Sequence, residues 1–144
     1  MHKIVLDTNV FIDWLRRGLH EDWVIGRAGG AVRYLSSVVH MELGLGADTT
    51  RRRRAVDRIR DAFPGSRRLS PSPAGFEEAA GVFRRLHGDG LGVADRLSAM
   101  DDILIALTAR EIGATVVTSN AVEFGRIAKE LPGLRVLVPV RETG

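Results

Sequence analysis

Acidic residues stand at the edges of three apolar runs in this 144-residue chain. Asp7 follows the first run, Glu42 follows the second, and the pair Asp101-Asp102 precedes the third. If folding brings these carboxylates together, their mutual repulsion has to be relieved. A hard divalent cation such as Mg²⁺ would relieve it, because Mg²⁺ prefers oxygen ligands and keeps some of its bound waters. The pattern therefore predicts metal-assisted chemistry on a phosphate group.

Each of these acids also has a purely structural explanation. Asp7 is a residue type that caps helix N-termini well, and Glu42 is compatible with a polar stripe on a helix surface. Asp101 or Asp102 could stabilise the first turn of a helix through the helix dipole. Adjacent helical residues point about 100° apart, so we expect only one of Asp101 and Asp102 to face a shared ion. The chemical interpretation is favoured for Asp7, and for the others it depends on the whole pattern.

The apolar pattern predicts short strands alternating with helices, which is typical of a parallel sheet covered on both faces. Strands are expected at 3–7, 31–36, 67–69, 114–118 and 134–138, and helices at 8–17, 20–28, 38–45, 49–63, 73–87, 99–112 and 121–131. In such sheets, functional sites form beyond the carboxyl ends of the strands, where Asp7, Ser36 and Ser119-Asn120 fall. We therefore predict an α/β fold, with one domain over residues 1–144 and about five parallel strands.

The amino-acid composition excludes several kinds of functional site and a membrane-spanning segment. The chain contains no cysteine, which excludes disulfides, thiolate catalysis and cysteine-based zinc or iron–sulfur centres. No apolar run approaches the length that crosses a bilayer, and the N-terminal apolar stretch is too short for a signal peptide. We therefore expect a cytoplasmic protein with no membrane association.

Arginine dominates the basic residues, and the formal net charge is +3. The clearest basic patch is the run Arg51-Arg52-Arg53-Arg54. Guanidinium groups suit bidentate contacts to RNA phosphates, and Arg16 and Arg17 are further candidates for this role. A solvated helix face balanced by Asp57 and Asp61 explains the arginine run equally well.

Four motifs, in this order, resemble the PIN domain, and within it the VapC-like toxin ribonucleases of bacterial toxin–antitoxin pairs. The motifs occupy residues 4–10, 42–47, 102–109 and 117–124, and together they extend over almost the whole chain. The resemblance implies that Asp7, Glu42 and Asp102 are the catalytic acids and hold Mg²⁺ or Mn²⁺. Asp102 is preferred to Asp101 because the family's aspartate stands two residues before an apolar pair, here Leu104-Ile105.

The resemblance also implies a fourth position in the last motif, occupied here by either Asn120 or Glu123. Glu123 replaces an aspartate that is common in the family just before the phenylalanine. Thr8, Asn9 and Ser119 are expected to position metal ligands or water around the site. The implied function is Mg²⁺- or Mn²⁺-dependent hydrolysis of RNA. The implied partners are a cognate antitoxin protein and a second copy of the chain.

Three other functions fit parts of the pattern. A haloacid-dehalogenase-like phosphatase needs an aspartate two residues after Asp7, where this chain has Asn9. A phosphate-receiver domain needs a lysine at the end of its last strand, and residues 135–140 contain none. The main alternative is a catalytically degenerate PIN domain that binds RNA or protein, because Asn120 stands where the family often has an acid.

Overall fold

A computed structural model describes residues 2–26, 30–89 and 92–139 of the chain. Five parallel strands form one sheet with the order β3-β2-β1-β4-β5. The strands are β1 (Lys3–Leu6), β2 (Val32–Ser36), β3 (Arg68–Leu69), β4 (Thr115–Val117) and β5 (Arg135–Leu137). The structure thus confirms the predicted α/β class with a central parallel sheet.

Seven α-helices surround the sheet in the part of the chain that is described. They are α1 (Thr8–Arg17), α2 (Glu21–Val24), α3 (Ser37–Gly46), α4 (Thr50–Asp61), α5 (Pro73–His87), α6 (Val93–Glu111) and α7 (Ala121–Glu130). A short 3-10 turn, Gly65–Arg67, precedes β3. The predicted bounds agree within two residues for every element except α2 and α6. None of the described helices has the length and apolar character needed to cross a membrane.

The central strand β1 explains why its sequence is an unbroken apolar run. Ile4, Val5 and Leu6 are each at most 3% exposed, because both faces of the sheet are covered by other elements. β1 pairs with β2 on one side and with β4 on the other, with Leu6 beside Val117. The apolar run therefore fixes the middle of the sheet and ends where Asp7 begins α1.

Helix α2 is shorter than the predicted helix at 20–28, because it ends at Val24. Arg33 of β2 donates hydrogen bonds to the carbonyl groups of Trp23 at 2.5 Å and Asp22 at 3.1 Å, and also to that of Gly26. In so short a helix these carbonyl groups have no backbone N–H donor among the described residues, and the guanidinium group of Arg33 donates to them instead. Positions 27 and 28 of the predicted helix lie outside the described residues.

Helix α6 is longer than predicted, since it begins at Val93 rather than at residue 99. Residues 95–98 are all exposed, so this part of the helix has no apolar stripe for sequence analysis to detect. Asp101 and Asp102 consequently lie in the third turn of α6. The helix-dipole explanation for these two acids is therefore wrong, because that effect is confined to the first turn.

Candidate active site

The strand order reverses at β1, which creates a crevice at the carboxyl ends of β1 and β4. The chain runs outward from β1 to β2 and β3, then returns to β4 on the other side of β1. Because Leu6 and Val117 are paired, the residues that follow them, Asp7 and Thr118, are neighbours. Parallel α/β sheets bind their ligands in crevices of this kind.

Asp7 caps α1 and also bonds across the crevice. Its Oδ1 accepts a hydrogen bond from the backbone N–H of Thr8 at 2.7 Å. Its Oδ2 accepts one from the hydroxyl group of Thr118 at 2.8 Å. The side chain is almost completely buried, and this burial raises the pKa of Asp7, although the two hydrogen bonds act in the opposite direction. The capping role is therefore real, but it occupies only one of the two carboxylate oxygens.

Glu42 reaches the same crevice from α3. The hydroxyl group of Thr8 donates a hydrogen bond to its Oε1 at 2.6 Å. Partial burial raises the pKa of Glu42, and the nearby charges of Asp101 and Asp7 raise it further, while the Thr8 hydrogen bond lowers it. Glu42 therefore lies among other acids and not on a solvated polar stripe.

Asp102 is the most strongly perturbed of these acids. Burial is the main cause and raises its pKa to about 8, together with the charges of Asp7, Glu42, Glu123 and Asp101. Asp101 also contacts the group, because a side-chain interaction with Glu42 affects the pKa of both residues. Both members of the pair therefore interact with Glu42 or its charge, and the expectation that only one of them faces a shared ion stays a prediction.

The chemistry of these side chains fits a divalent cation. Four carboxyl groups, from the end of β1, from α3 and from α6, all have raised pKa values. Within the described ranges, Asp7, Glu42, Asp101 and Asp102 take part in none of the ion pairs. Carboxylate oxygens in such a group are the ligands that Mg²⁺ and Mn²⁺ accept.

Two of the four acids accept hydrogen bonds from threonine hydroxyl groups. Among the residues that the structure describes, no three histidine, cysteine, aspartate or glutamate side chains are already arranged as an ion site. Asp7 and Glu42 instead accept hydrogen bonds from Thr118 and Thr8. The acids therefore share one electrostatic environment, in which a threonine hydroxyl group partners one oxygen of Asp7 and one of Glu42.

Thr118 is the residue that sequence analysis missed. Its side chain is fully buried, and besides donating to Asp7 its hydroxyl oxygen accepts a hydrogen bond from the backbone N–H of Asn120 at 2.9 Å. The side-chain amide of Asn9 approaches the same oxygen at 3.5 Å, and Asn9 Oδ1 accepts from the backbone N–H of Ser119 at 3.3 Å. The sequence signal that could have identified Thr118 is a hydroxyl residue directly after an apolar strand.

Asn120 and Glu123 are the two candidates for the fourth position, and their surroundings in the structure differ. The charge of Glu123 contributes to the raised pKa of Asp102, so its carboxylate lies within electrostatic range of the crevice. One oxygen of Glu123 also lies 3.4 Å from Nη1 of Arg126. Asn120 takes part through its backbone N–H, which bonds to Thr118. Glu123 is therefore the better candidate for an additional charged group.

The arginine run divides into two pairs. Arg51 and Arg52 line a groove of about 980 Å³ that also contains Glu42, whereas Arg53 and Arg54 lie outside its lining. All four side chains are exposed. Only half of the predicted basic patch therefore lines the groove that contains Glu42.

The crevice gathers acids at the switch point of a parallel sheet, the place where α/β sheets bind their ligands. The sequence profile of the PIN domain matches residues 4–130, so the chain belongs to the PIN domain family. Comparison of the sequence with curated proteins finds no significant match.

Three solved structures illustrate the similarity in fold. VapBC2 from Rickettsia felis, bound to a DNA fragment from its promoter, has a TM-score of 0.65 at 23% identity, over 96% of this chain and 99% of that one. DNA-bound VapBC from Salmonella typhimurium has a TM-score of 0.61 at 25% identity, over 96% and 98%. VapBC-5 from Mycobacterium tuberculosis, of the VapBC family of toxin–antitoxin systems, has a TM-score of 0.60 at 21% identity, over 96% and 100%.

Proposed function

We propose that this chain is a divalent-metal-dependent endoribonuclease and the toxin of a toxin–antitoxin pair. The observation that carries the proposal is the meeting of Asp7, Glu42 and Asp102, from three separate elements, in one crevice at the switch point of the sheet. Membership of the PIN domain family and the likeness in fold to VapBC proteins support it.

The chain's own residues prepare this crevice for phosphodiester hydrolysis. Asp7, Glu42 and Asp102 would hold Mg²⁺ or Mn²⁺, which when bound supplies a water of lowered pKa and stabilises charge on phosphate oxygens. Thr118 and Thr8 fix the orientations of Asp7 and Glu42 through their hydroxyl groups. Glu123 adds negative charge beside Asp102.

Cleavage of RNA by purified protein tests the proposal. We expect wild-type protein to cleave RNA with Mn²⁺ or Mg²⁺, to lose activity in EDTA, and to regain it when the ion is restored. Asp7→Asn and Asp102→Asn each keep the size of the side chain and remove its charge. Both should reduce cleavage by at least about 100-fold, because each removes a charged ligand of the ion.

The matched control is Asp57→Asn on α4, an exposed acid outside the crevice, which should keep wild-type activity. Thermal melts of all variants show whether the fold survives each change. Full cleavage by folded Asp7→Asn or Asp102→Asn protein would refute the assignment of these residues.

A catalytically degenerate PIN domain is the second candidate function, and Asn120 favours it because an amide stands where an acid is often found in the family. Such a protein would bind RNA without cutting it at any concentration of Mg²⁺ or Mn²⁺. The same assay, combined with a binding measurement in EDTA, distinguishes the two functions.

The proposed protein partner is a cognate antitoxin. An apolar groove of about 320 Å³ between α1, α2 and α4 includes Trp14 and the exposed side chain of Ile25. We propose that a segment of the antitoxin packs here, and that the toxin forms a homodimer. A protein encoded beside this gene should inhibit cleavage by wild-type protein but not by an Ile25→Asp variant. Light scattering reports the oligomeric state.

A further inference from the structure

A second, larger groove leads away from the acidic crevice between α1, α3 and α4. Its volume is about 980 Å³, and Glu42 forms part of its wall. Ile12, Leu15 and Val56 give it an apolar surface, and four arginines border it: Arg16, Arg51, Arg52 and Arg58. The groove therefore connects a basic, partly apolar surface directly to one of the proposed catalytic acids.

Most of the positive charge in this groove is uncompensated. Within the described part of the chain, the side chains of Arg16, Arg51 and Arg58 form no ion pair and no hydrogen bond, and all three are exposed. Arg52 differs, because its Nη1 lies 2.6 Å from a carboxylate oxygen of Asp48. Three guanidinium groups are thus available for an anionic ligand.

The arginines are spaced along the groove and not clustered at one point. Arg51 and Arg58 are seven residues apart on α4, which places them on the same helix face about 10 Å apart along the axis. Arg16 approaches from the end of α1, on the opposite wall. Arg53 and Arg54 belong to the same helix but do not line the groove. This spacing suits an extended polyanion better than a single phosphate group.

We propose that this groove binds single-stranded RNA and guides it to Glu42, which makes the groove the substrate-binding surface of the proposed nuclease. Phosphates contact Arg16, Arg51 and Arg58, and bases lie against the apolar side chains. A duplex should bind less tightly, because its bases are stacked on each other inside the helix and do not reach an apolar surface. The inference rests on the proposed function and adds the surface that holds the RNA strand and leads it to Glu42.

The test compares two double variants of the same helix. Arg51→Ala/Arg58→Ala removes two arginines that line the groove, and Arg53→Ala/Arg54→Ala removes two exposed arginines that do not. Both change the net charge equally, and alanine is at least as good a helix former as arginine. Binding of fluorescent oligouridine, roughly 12 nucleotides long, is measured by anisotropy in EDTA over a series of salt concentrations.

The groove variant should bind oligouridine about tenfold more weakly than wild type at moderate salt. Its slope of log K against log salt should fall in magnitude by about 1.4, since each phosphate contact on a single strand contributes about 0.7. The control variant should keep its affinity within about twofold and its slope nearly unchanged. In cleavage assays with Mn²⁺, the groove variant should show a raised KM with little change in kcat.

Several results would overturn the proposal. Equal losses in the groove and control variants would indicate general attraction between the protein and any polyanion. Equal competition by duplex RNA would exclude a single-strand groove. If the groove variant loses binding to a polyglutamate peptide but keeps its affinity for oligouridine, the groove belongs to an acidic peptide.

The result also separates this inference from the proposed function. Binding is measured without metal, so it does not depend on catalysis. Wild-type protein that binds oligouridine through the groove but never cuts it would retain the groove and refute the nuclease. Protein that cuts RNA with unchanged KM in the groove variant would refute the groove and retain the nuclease.

Discussion

Thr118 joins the two strands that form the crevice through a single hydroxyl group. It donates to Oδ2 of Asp7 and accepts the backbone N–H of Asn120, so both its donor and acceptor capacity are used in a fully buried place. The carboxylate of Asp7 therefore keeps one orientation relative to β4. Residues of this kind orient metal ligands, and their loss typically costs activity without removing a ligand.

Replacing Thr118 by valine keeps its shape and removes the hydroxyl group. We expect the Thr118→Val variant to lose about 1–3 kcal/mol of stability, because the Asp7 oxygen and the Asn120 N–H lose a buried partner. We also expect kcat with Mn²⁺ to fall by about 10- to 100-fold. Thr118→Ser restores the hydroxyl group and should recover most of the activity.

Thr108→Val is the matched control for this change. Thr108 is an equally buried threonine whose hydroxyl group bonds only to the carbonyl oxygen of Leu104 in its own helix. This variant should keep wild-type kcat. If both valine variants have the same activity, Thr118 does not position Asp7.

Helix α6 shows which parts of the elements the sequence predicts and which it conceals. From Ile103 to Ala109 the side chains form an almost continuous buried run, and this part of the helix was predicted correctly. The preceding turns are exposed, so hydrophobic periodicity carries no information there. The helix dipole offered a structural reason for Asp101 and Asp102 only because the start of the helix was misplaced.

For helix α2 the C-terminal end was mispredicted, because a residue of another element, Arg33 of β2, determines where the helix ends. Arg33 of β2 bonds to three carbonyl groups at the C-terminal end of α2, belonging to Trp23, Asp22 and Gly26. No local pattern in residues 20–28 predicts this interaction. Element boundaries set by side chains from another element are therefore beyond a single-sequence prediction.

Arg33→Gln tests this interaction because glutamine keeps a polar side chain but is too short to reach all three carbonyls. We expect a loss of about 1–3 kcal/mol in the free energy of unfolding, since carbonyl groups at the helix end lose their partners. Chemical denaturation measures the loss, and hydrogen exchange should increase first at the amides of Trp23, Val24 and Ile25.

The control for Arg33 is Arg135→Gln in β5. Arg135 donates one exposed hydrogen bond of 3.4 Å, to the carbonyl oxygen of Gly113. Its loss should change stability by less than about 0.5 kcal/mol. Equal destabilisation by the two variants would mean that Arg33 has no particular role in holding α2.

The whole molecule brings its acids together through the order of its strands. Asp7 was predictable because apolar strands of a parallel sheet end at one edge, and β1 and β4 are adjacent. The proximity of Asp101 to Glu42 and the division of the arginine run were not predictable. They depend on how α3, α4 and α6 rotate about their axes when they pack, which no local spacing determines.

Binding of a divalent cation should stabilise the whole fold, because the acids repel one another in its absence. An ion that binds only the folded protein adds about 2.7 kcal/mol at 100 times its Kd. We therefore expect Mn²⁺ to raise the Tm of the wild-type protein by several degrees relative to EDTA. Ca²⁺, which also takes oxygen ligands, tests whether stabilisation requires an ion that supports cleavage.

Asp7→Asn and Asp102→Asn should remove this stabilisation, whereas Asp57→Asn should retain it in full. The same pattern in Tm and in RNA cleavage would link one ion site to both fold stability and catalysis. Stabilisation by Mn²⁺ that survives both crevice variants would place the ion elsewhere on the protein. A wild-type Tm that does not respond to Mn²⁺ or Mg²⁺ at millimolar concentration would contradict the proposed metal site, whatever the source of any nuclease activity.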